Sequence, residues 1–183
     1  MEVTIPSIYP DCPTAARTVR IGGKTKLELL AALRDHGVEL NELGTMLFAR
    51  DEFTTSEATA VVETVELMVA DLGFTDGATS DEVLDRVAGL GLSPCPLELA
   101  PNLRLSYLDQ QEGHRGEVIT RHRAPPGSVT IMSRPIHVDD EVPKGFYLRR
   151  IDGVLWLRGY RASPEHVWEP EDRLVFVVGT PRA

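Results

Sequence analysis

Cysteine is scarce in this chain: Cys12 and Cys95 are its two thiols in 183 residues. A single pair cannot build a disulfide scaffold, and its spacing is not that of a zinc knuckle, so the fold must rest on a buried apolar core. Long apolar runs are missing too, and nothing approaches the ~20 consecutive residues that a membrane span requires. Positive charge is in deficit, with 19 Lys and Arg against 28 Asp and Glu and a formal net charge of −9. That balance favours solubility and opposes nonspecific capture by nucleic acid or an anionic membrane. The opening Met1-Glu2-Val3-Thr4 carries neither a basic region nor an apolar core, so no secretory signal is expected. The expected address is cytoplasmic, with reduced thiols.

Metal and nucleophile signatures are equally thin. His36, His114, His122, His137 and His166 form no paired helical ligand motif, and no glycine-flanked serine occurs. His137 with Asp139, Asp140 and Glu141 reads as an exposed acidic turn rather than an oxygen-rich divalent site. Neither a metal nor a cofactor is expected. Cys95, between two prolines, and Cys12, before Pro13, have no histidine nearby in sequence to lower their pKa, and read as buried, inert thiols.

What is present is an ordinary globular composition, 42% hydrophobic and 26% charged, in a chain long enough to bury roughly 70% of its unfolded surface. It reads as a single α+β domain over residues 1–183. Three prolines make residues 1–17 an extended arm. Thr25-Lys26-Leu27-Glu28 fits a capping box, followed by a helix whose face gathers Leu27, Leu30 and Ala31, widened by Leu29 and Leu33 and stopped at Gly37. A weaker helix runs from Asn41 toward Arg50. Val65, Leu67 and Val69 alternate with Thr64, Glu66 and Met68, the mark of a half-buried strand. A second capping box at Thr79-Ser80-Asp81-Glu82 opens a helix through Val83, Leu84, Val87 and Leu90.

The stretch from Pro94 to Leu108 is ambiguous: its leucines alternate, yet Pro96 and Pro101 interrupt a strand. Residues 109–127 read as a long exposed loop. Ser128 to Ser133 and Leu174 to Val178 are strand-like. Phe146 to Ile151 and Val154 to Arg161 flank Asp152-Gly153, the dipeptide of a type I′ hairpin. Helices come early and strands late, which predicts N-terminal helices packed on a mainly antiparallel sheet with a C-terminal β-hairpin.

Lys144-Gly145-Phe146-Tyr147-Leu148-Arg149-Arg150-Ile151, continuing through Leu155-Trp156-Leu157-Arg158-Gly159-Tyr160, resembles a group of small, uncharacterised bacterial proteins commonly given the label helicase. Cys95-Pro96-Leu97-Glu98-Leu99, Tyr107-Leu108-Asp109-Gln110 and the opening Tyr9-Pro10-Asp11-Cys12-Pro13 are similar to the same group. The resemblance implies a self-contained bacterial protein and carries no mechanism. The label itself fails a physical test. Gly23-Lys24-Thr25 imitates the end of a phosphate loop and Leu67-Met68-Val69-Ala70-Asp71 a magnesium-binding strand, but the loop needs a glycine where Thr18 stands. Gly22-Gly23 reads instead as a turn and Thr25 as a helix cap.

The hairpin carries the functional expectation. With Asp152-Gly153 as its turn, Ile151 pairs with Val154, Arg149 with Trp156 and Tyr147 with Arg158, while Leu148 faces Leu157 on the opposite side. One face is therefore apolar. The other holds Tyr147, Arg149, Trp156, Arg158 and Tyr160, guanidinium groups beside aromatic rings, a combination suited to planar or anionic ligands. The expected function is a non-catalytic module that binds a protein partner or an anionic small molecule there. The alternative is a small hydrolase or transferase using Glu98, with Arg104 or a hairpin arginine as its partner, or the 139–141 turn with the same arginines. A structural protein acting as a homo-oligomer is a third possibility.

Overall fold

The computed structural model describes residues 7–113 and 124–179. Residues 1–6 of the expected arm, residues 114–123 of the expected loop, and with them His114 and His122, lie outside the described residues. The class is α+β. Strands β1 (Ala15–Ile21), β2 (Glu39–Leu40), β3 (Ala60–Met68), β4 (Ala78–Thr79) and β5 (Leu92–Ser93) alternate with helices α1 (Lys26–Asp35), α2 (Glu42–Ala49) and α3 (Ser80–Ala88). Helix α4 (Leu99–Ser106) precedes β6 (Val129–Ile131), β7 (Gly145–Ile151), β8 (Val154–Tyr160), β9 (Val167–Trp168) and β10 (Arg173–Val178). The main sheet runs β1-β3-β10-β6-β7-β8-β2, with β5 also paired to β10. Two of its pairings are parallel, β10 with β6 and β2 with β8, and the others are antiparallel.

Local chemistry sets the element ends. At α1 the Thr25 N–H donates to Glu28 Oε2 at 2.8 Å and the Glu28 N–H donates to Thr25 Oγ1 at 3.2 Å. Thr79 and Glu82 repeat the exchange at α3. Each cap satisfies N–H groups that a helix start otherwise leaves open. Gly22 and Gly23, both at positive φ, form the turn before Thr25. The buried stripe of α1 differs from the sequence expectation. Leu29 and Leu33, one helical turn apart, are fully buried, whereas Leu27 is 78% exposed. A helix face is fixed by the element beneath it, and here that element contacts the 29/33 line.

The Pro94–Leu108 ambiguity resolves as helix. Pro101 falls in the first turn of α4, where no intrahelical N–H bond is needed, so it starts the helix instead of breaking it. Leu99 and Leu103, spaced by four, are buried together.

Helices α1, α2 and α4 supply Leu29, Leu33, Phe48, Leu99 and Leu103 to one core, against Val129, Ile131, Phe146, Leu148 and Leu157 of the sheet. Phe48, Phe53 and Phe146 meet there with ring centroids 5.1, 5.6 and 6.0 Å apart. The opposite sheet face contributes Val65, Leu67, Leu174 and Phe176 to a second core covered by Val83, Leu84 and Val87 of α3 and by Trp168. Beyond the two residues of β2, the Asn41 side chain continues the edge: Oδ1 accepts from Gly159 N and Gly44 N, both at 2.8 Å, and Nδ2 donates to Gly159 O at 2.9 Å.

Candidate functional site

The hairpin has the register read from sequence: Ile151↔Val154, Arg149↔Trp156, Leu148↔Leu157 and Tyr147↔Arg158. Asp152 and Gly153 have φ of 51° and 75°, the pair of positive values a type I′ turn demands. Glu112 fastens the tip, accepting from Gly153 N at 3.2 Å and pairing with Arg150 at 3.4 Å. Leu148 and Leu157 are fully buried.

On the other face Tyr147, Arg149, Trp156 and Arg158 are half-buried. The Arg158 guanidinium stands 5.1 Å from the Trp156 ring centroid and 6.0 Å from that of Tyr147. Its Nε is buried with no hydrogen-bond partner, and none of the ion pairs among the described residues includes Arg158. Arg17, Arg50, Arg150, Arg161 and Arg173, by contrast, each meet a carboxylate. Burial pushes the Tyr147 phenol above its ordinary pKa, while the nearby Arg158 and Arg149 charges pull the other way. The phenol is therefore a neutral ring and hydroxyl at physiological pH.

Tyr160 stands at the end of the same row, opposite Gly145. Its ring packs edge-on against Trp168, centroids 5.7 Å apart, and joins the second core. It lines a cavity of about 410 Å³ together with Ser80 and Leu84 of α3, Met132, Ser133, Ile136 and Lys144. The Lys144 ammonium is already engaged, donating to the carbonyls of Asp139, His137 and Val138 at 2.8, 3.2 and 3.4 Å and standing 3.5 Å from Asp140.

Glu98 is buried, and its partner is neither Arg104 nor a hairpin arginine. Its carboxylate accepts from Ser56 Oγ at 2.6 Å and from Ser56 N at 3.2 Å. Arg104, 0% exposed, donates instead to Gln110 Oε1 at 2.5 Å and to the Tyr107 carbonyl, and burial holds its pKa down to about 10. Ser56, which the sequence does not mark, thus fixes Glu98. Glu141 of the acidic turn pairs with Arg161 at 3.4 Å and Asp140 faces Lys144. Among the described residues no group of three or more His, Cys, Asp or Glu is arranged to hold a metal ion. Cys12 and Cys95 are both buried, and burial raises both thiol pKa values; Cys95 Sγ lies 3.3 Å from the Val175 carbonyl.

Sequence reasoning also missed Glu66, which is buried and bridges Arg17 of β1 at 3.0 Å and Arg173 of β10 at 3.3 Å across β3. It missed the cavity as well. No local signal marks either one, because the contributing segments are far apart in the chain. No helix among the described residues is long and apolar enough to cross a membrane. Comparison of the chain with family models, with curated proteins and with solved structures returns no match.

Proposed function

We propose that the chain is a non-catalytic binding module that captures a carboxylate-bearing partner, an acidic protein segment or a small anionic molecule, on the patch formed by Tyr147, Trp156 and Arg158. The observation that carries this reading is Arg158 itself. It is a half-buried guanidinium held beside two aromatic rings, with no ion pair among the described residues, on a molecule of net charge −9. Arg158 shares a side-chain hydrogen bond with Tyr147, but with no carboxylate on it the rest of its planar fork can meet an anion, and partial burial strengthens that contact. The flanking rings offer a surface on which an apolar group next to the anion can stack.

The test is an NMR titration that follows the Trp156 indole signal. One arm uses a short peptide of alternating Glu and Phe, another the same peptide with Gln for Glu, and a third phthalate. The Glu peptide or phthalate is expected to shift the signal saturably, the Gln peptide to leave it in place, and Arg158→Lys to weaken the interaction about tenfold, the worth of one charge-assisted hydrogen bond. Which anion binds tells a protein segment from a small molecule. The reading is wrong if neither anion moves Trp156 at millimolar concentration, or if Arg158→Lys leaves affinity unchanged.

A further inference from the structure

A separate feature, the cavity beside Tyr160, is lined by a buried polar group with no partner. Ser133 is 4% exposed and lines the cavity, and its Oγ is buried without a hydrogen bond. Tyr160 lines the same cavity, and burial raises the phenol's pKa and keeps its hydroxyl a neutral donor. A buried hydroxyl left unpaired costs free energy that a partner would return. Tyr160 is held in place by its surroundings: its ring lies across Gly145, where a Cβ would stand 3.3 Å from Cε1 and from Oη, and it packs on Trp168.

The remaining wall decides the ligand class. Leu84, Met132, Pro135, Ile136 and Pro164 make most of it apolar. Its one lysine, Lys144, spends its donors on three backbone carbonyls and stands 3.5 Å from Asp140, and Asp81 adds a second carboxylate to the lining. No free lysine or arginine is left over for an anion, the one lining histidine, His137, has its Nδ1 taken by the Asp139 N–H, and the two carboxylates repel an anion. A volume of about 410 Å³ is within the range of small-molecule sites. At ~30 Å³ per position it holds on the order of a dozen non-hydrogen atoms.

We infer that this cavity is a binding site for a small, uncharged, mainly apolar molecule bearing one hydrogen-bond acceptor, with Ser133 and Tyr160 as the donors that read that acceptor. The site is independent of the anion patch, and its ligand differs in charge. Trp168 provides the readout, because its Nε1–H donates to Oγ of Ser80, a lining residue, at 3.0 Å.

The experiment titrates the full chain with acetophenone, with ethylbenzene as the same body lacking an acceptor, and with benzoate as its anionic counterpart. The indole signal of Trp168 is followed by NMR. Acetophenone should bind about tenfold more tightly than ethylbenzene, the worth of one hydrogen bond to a buried hydroxyl, and benzoate should not compete. Ser133→Ala should bring acetophenone to within about twofold of ethylbenzene while leaving ethylbenzene unchanged, since it removes the donor and little volume. Ala162→Trp, placed to fill the cavity, should abolish binding of both, with an unmoved Trp156 signal showing that the fold is intact. A Trp168 signal that ignores acetophenone and ethylbenzene at millimolar concentration overturns the proposal. So does benzoate binding more tightly than acetophenone, or acetophenone affinity that survives both substitutions.

Discussion

Arg158 and Trp156 stand two residues apart on one strand face, with the guanidinium carbon 5.1 Å from the indole centroid. The contact is a consequence of strand periodicity, since residues i and i+2 share a face. It makes Arg158 separable from the core by experiment. Arg158→Lys keeps the charge and loses the planar fork, so stability should fall by no more than about 1 kcal/mol, the scale of a partly exposed cation–π contact. In a domain of this size that is a drop in Tm of about 2–4 °C, readable by thermal denaturation. A much larger loss would make Arg158 part of the architecture.

The hairpin glycines should behave differently from one another. A Cβ at Gly153 meets nothing within 4 Å, so Gly153→Ala costs only the strain of its positive φ, about 1 kcal/mol. At Gly159 a Cβ would stand 2.6 Å from backbone atoms of Leu43 and Gly44. The strand and the start of α2 would have to part, and Gly159→Ala should cost more than about 3 kcal/mol, at the extreme of single substitutions. Urea denaturation of the two variants side by side measures the difference.

A similar contrast applies to α1. Leu33→Ala should cost about 2–5 kcal/mol because it opens a void under the helix. Leu27→Ala should change stability by less than about 0.5 kcal/mol, as surface substitutions do. Chemical denaturation decides, and equal costs would mean that the helix is rotated from the position described.

The capping boxes predict a pH dependence. Hydrogen bonds from the Thr25 backbone and side chain hold the Glu28 carboxyl below its ordinary 4.5, and Thr79 does the same for Glu82. A carboxyl whose pKa is lowered by folding stabilises the protein above its unfolded value, and that contribution is lost as pH falls through the folded value. The double variant Glu28→Ala, Glu82→Ala should therefore be less stable than the parent at neutral pH, with the gap narrowing below pH 4.5. Urea midpoints at a series of pH values test this; a constant gap would show that the carboxylate charge is immaterial.

How far these features could be read in advance depends on whether the cause is local. The two capping boxes and the Asp152-Gly153 turn are each written within a few residues, and the hairpin register follows from the turn once side-chain alternation is imposed. The grouping of Tyr147, Arg149, Trp156 and Arg158 came with that register. Elsewhere a distant element decides. The leucines from 97 to 105 alternate like a strand, but the pair that matters is Leu99 and Leu103, which point into a core supplied by the sheet. Tyr160 belongs to the hairpin row by period, and its packing on Trp168 in the second core comes from a segment outside the hairpin. Glu98 found Ser56, forty-two positions away, and no spacing rule connects them. The cavity joins segments near residues 80, 133 and 160, and nothing in any one of them announces a void.

The Asn41 side chain has a consequence for how copies of this chain meet. A sheet edge with open N–H and C=O groups is a template on which another chain can pair and aggregate. Strand β8 is shielded from that: Glu39 and Leu40 pair with Trp156 and Leu157, and the Asn41 amide, imitating a peptide unit, occupies both polar groups of Gly159. A single side chain thus does the work of the next residue of strand, without a longer strand that would itself need an outer neighbour. Loss of that amide would leave Gly159 with an open donor and acceptor beside the aromatic residues of β8, and the failure to look for is slow self-association of folded molecules in addition to any loss of stability.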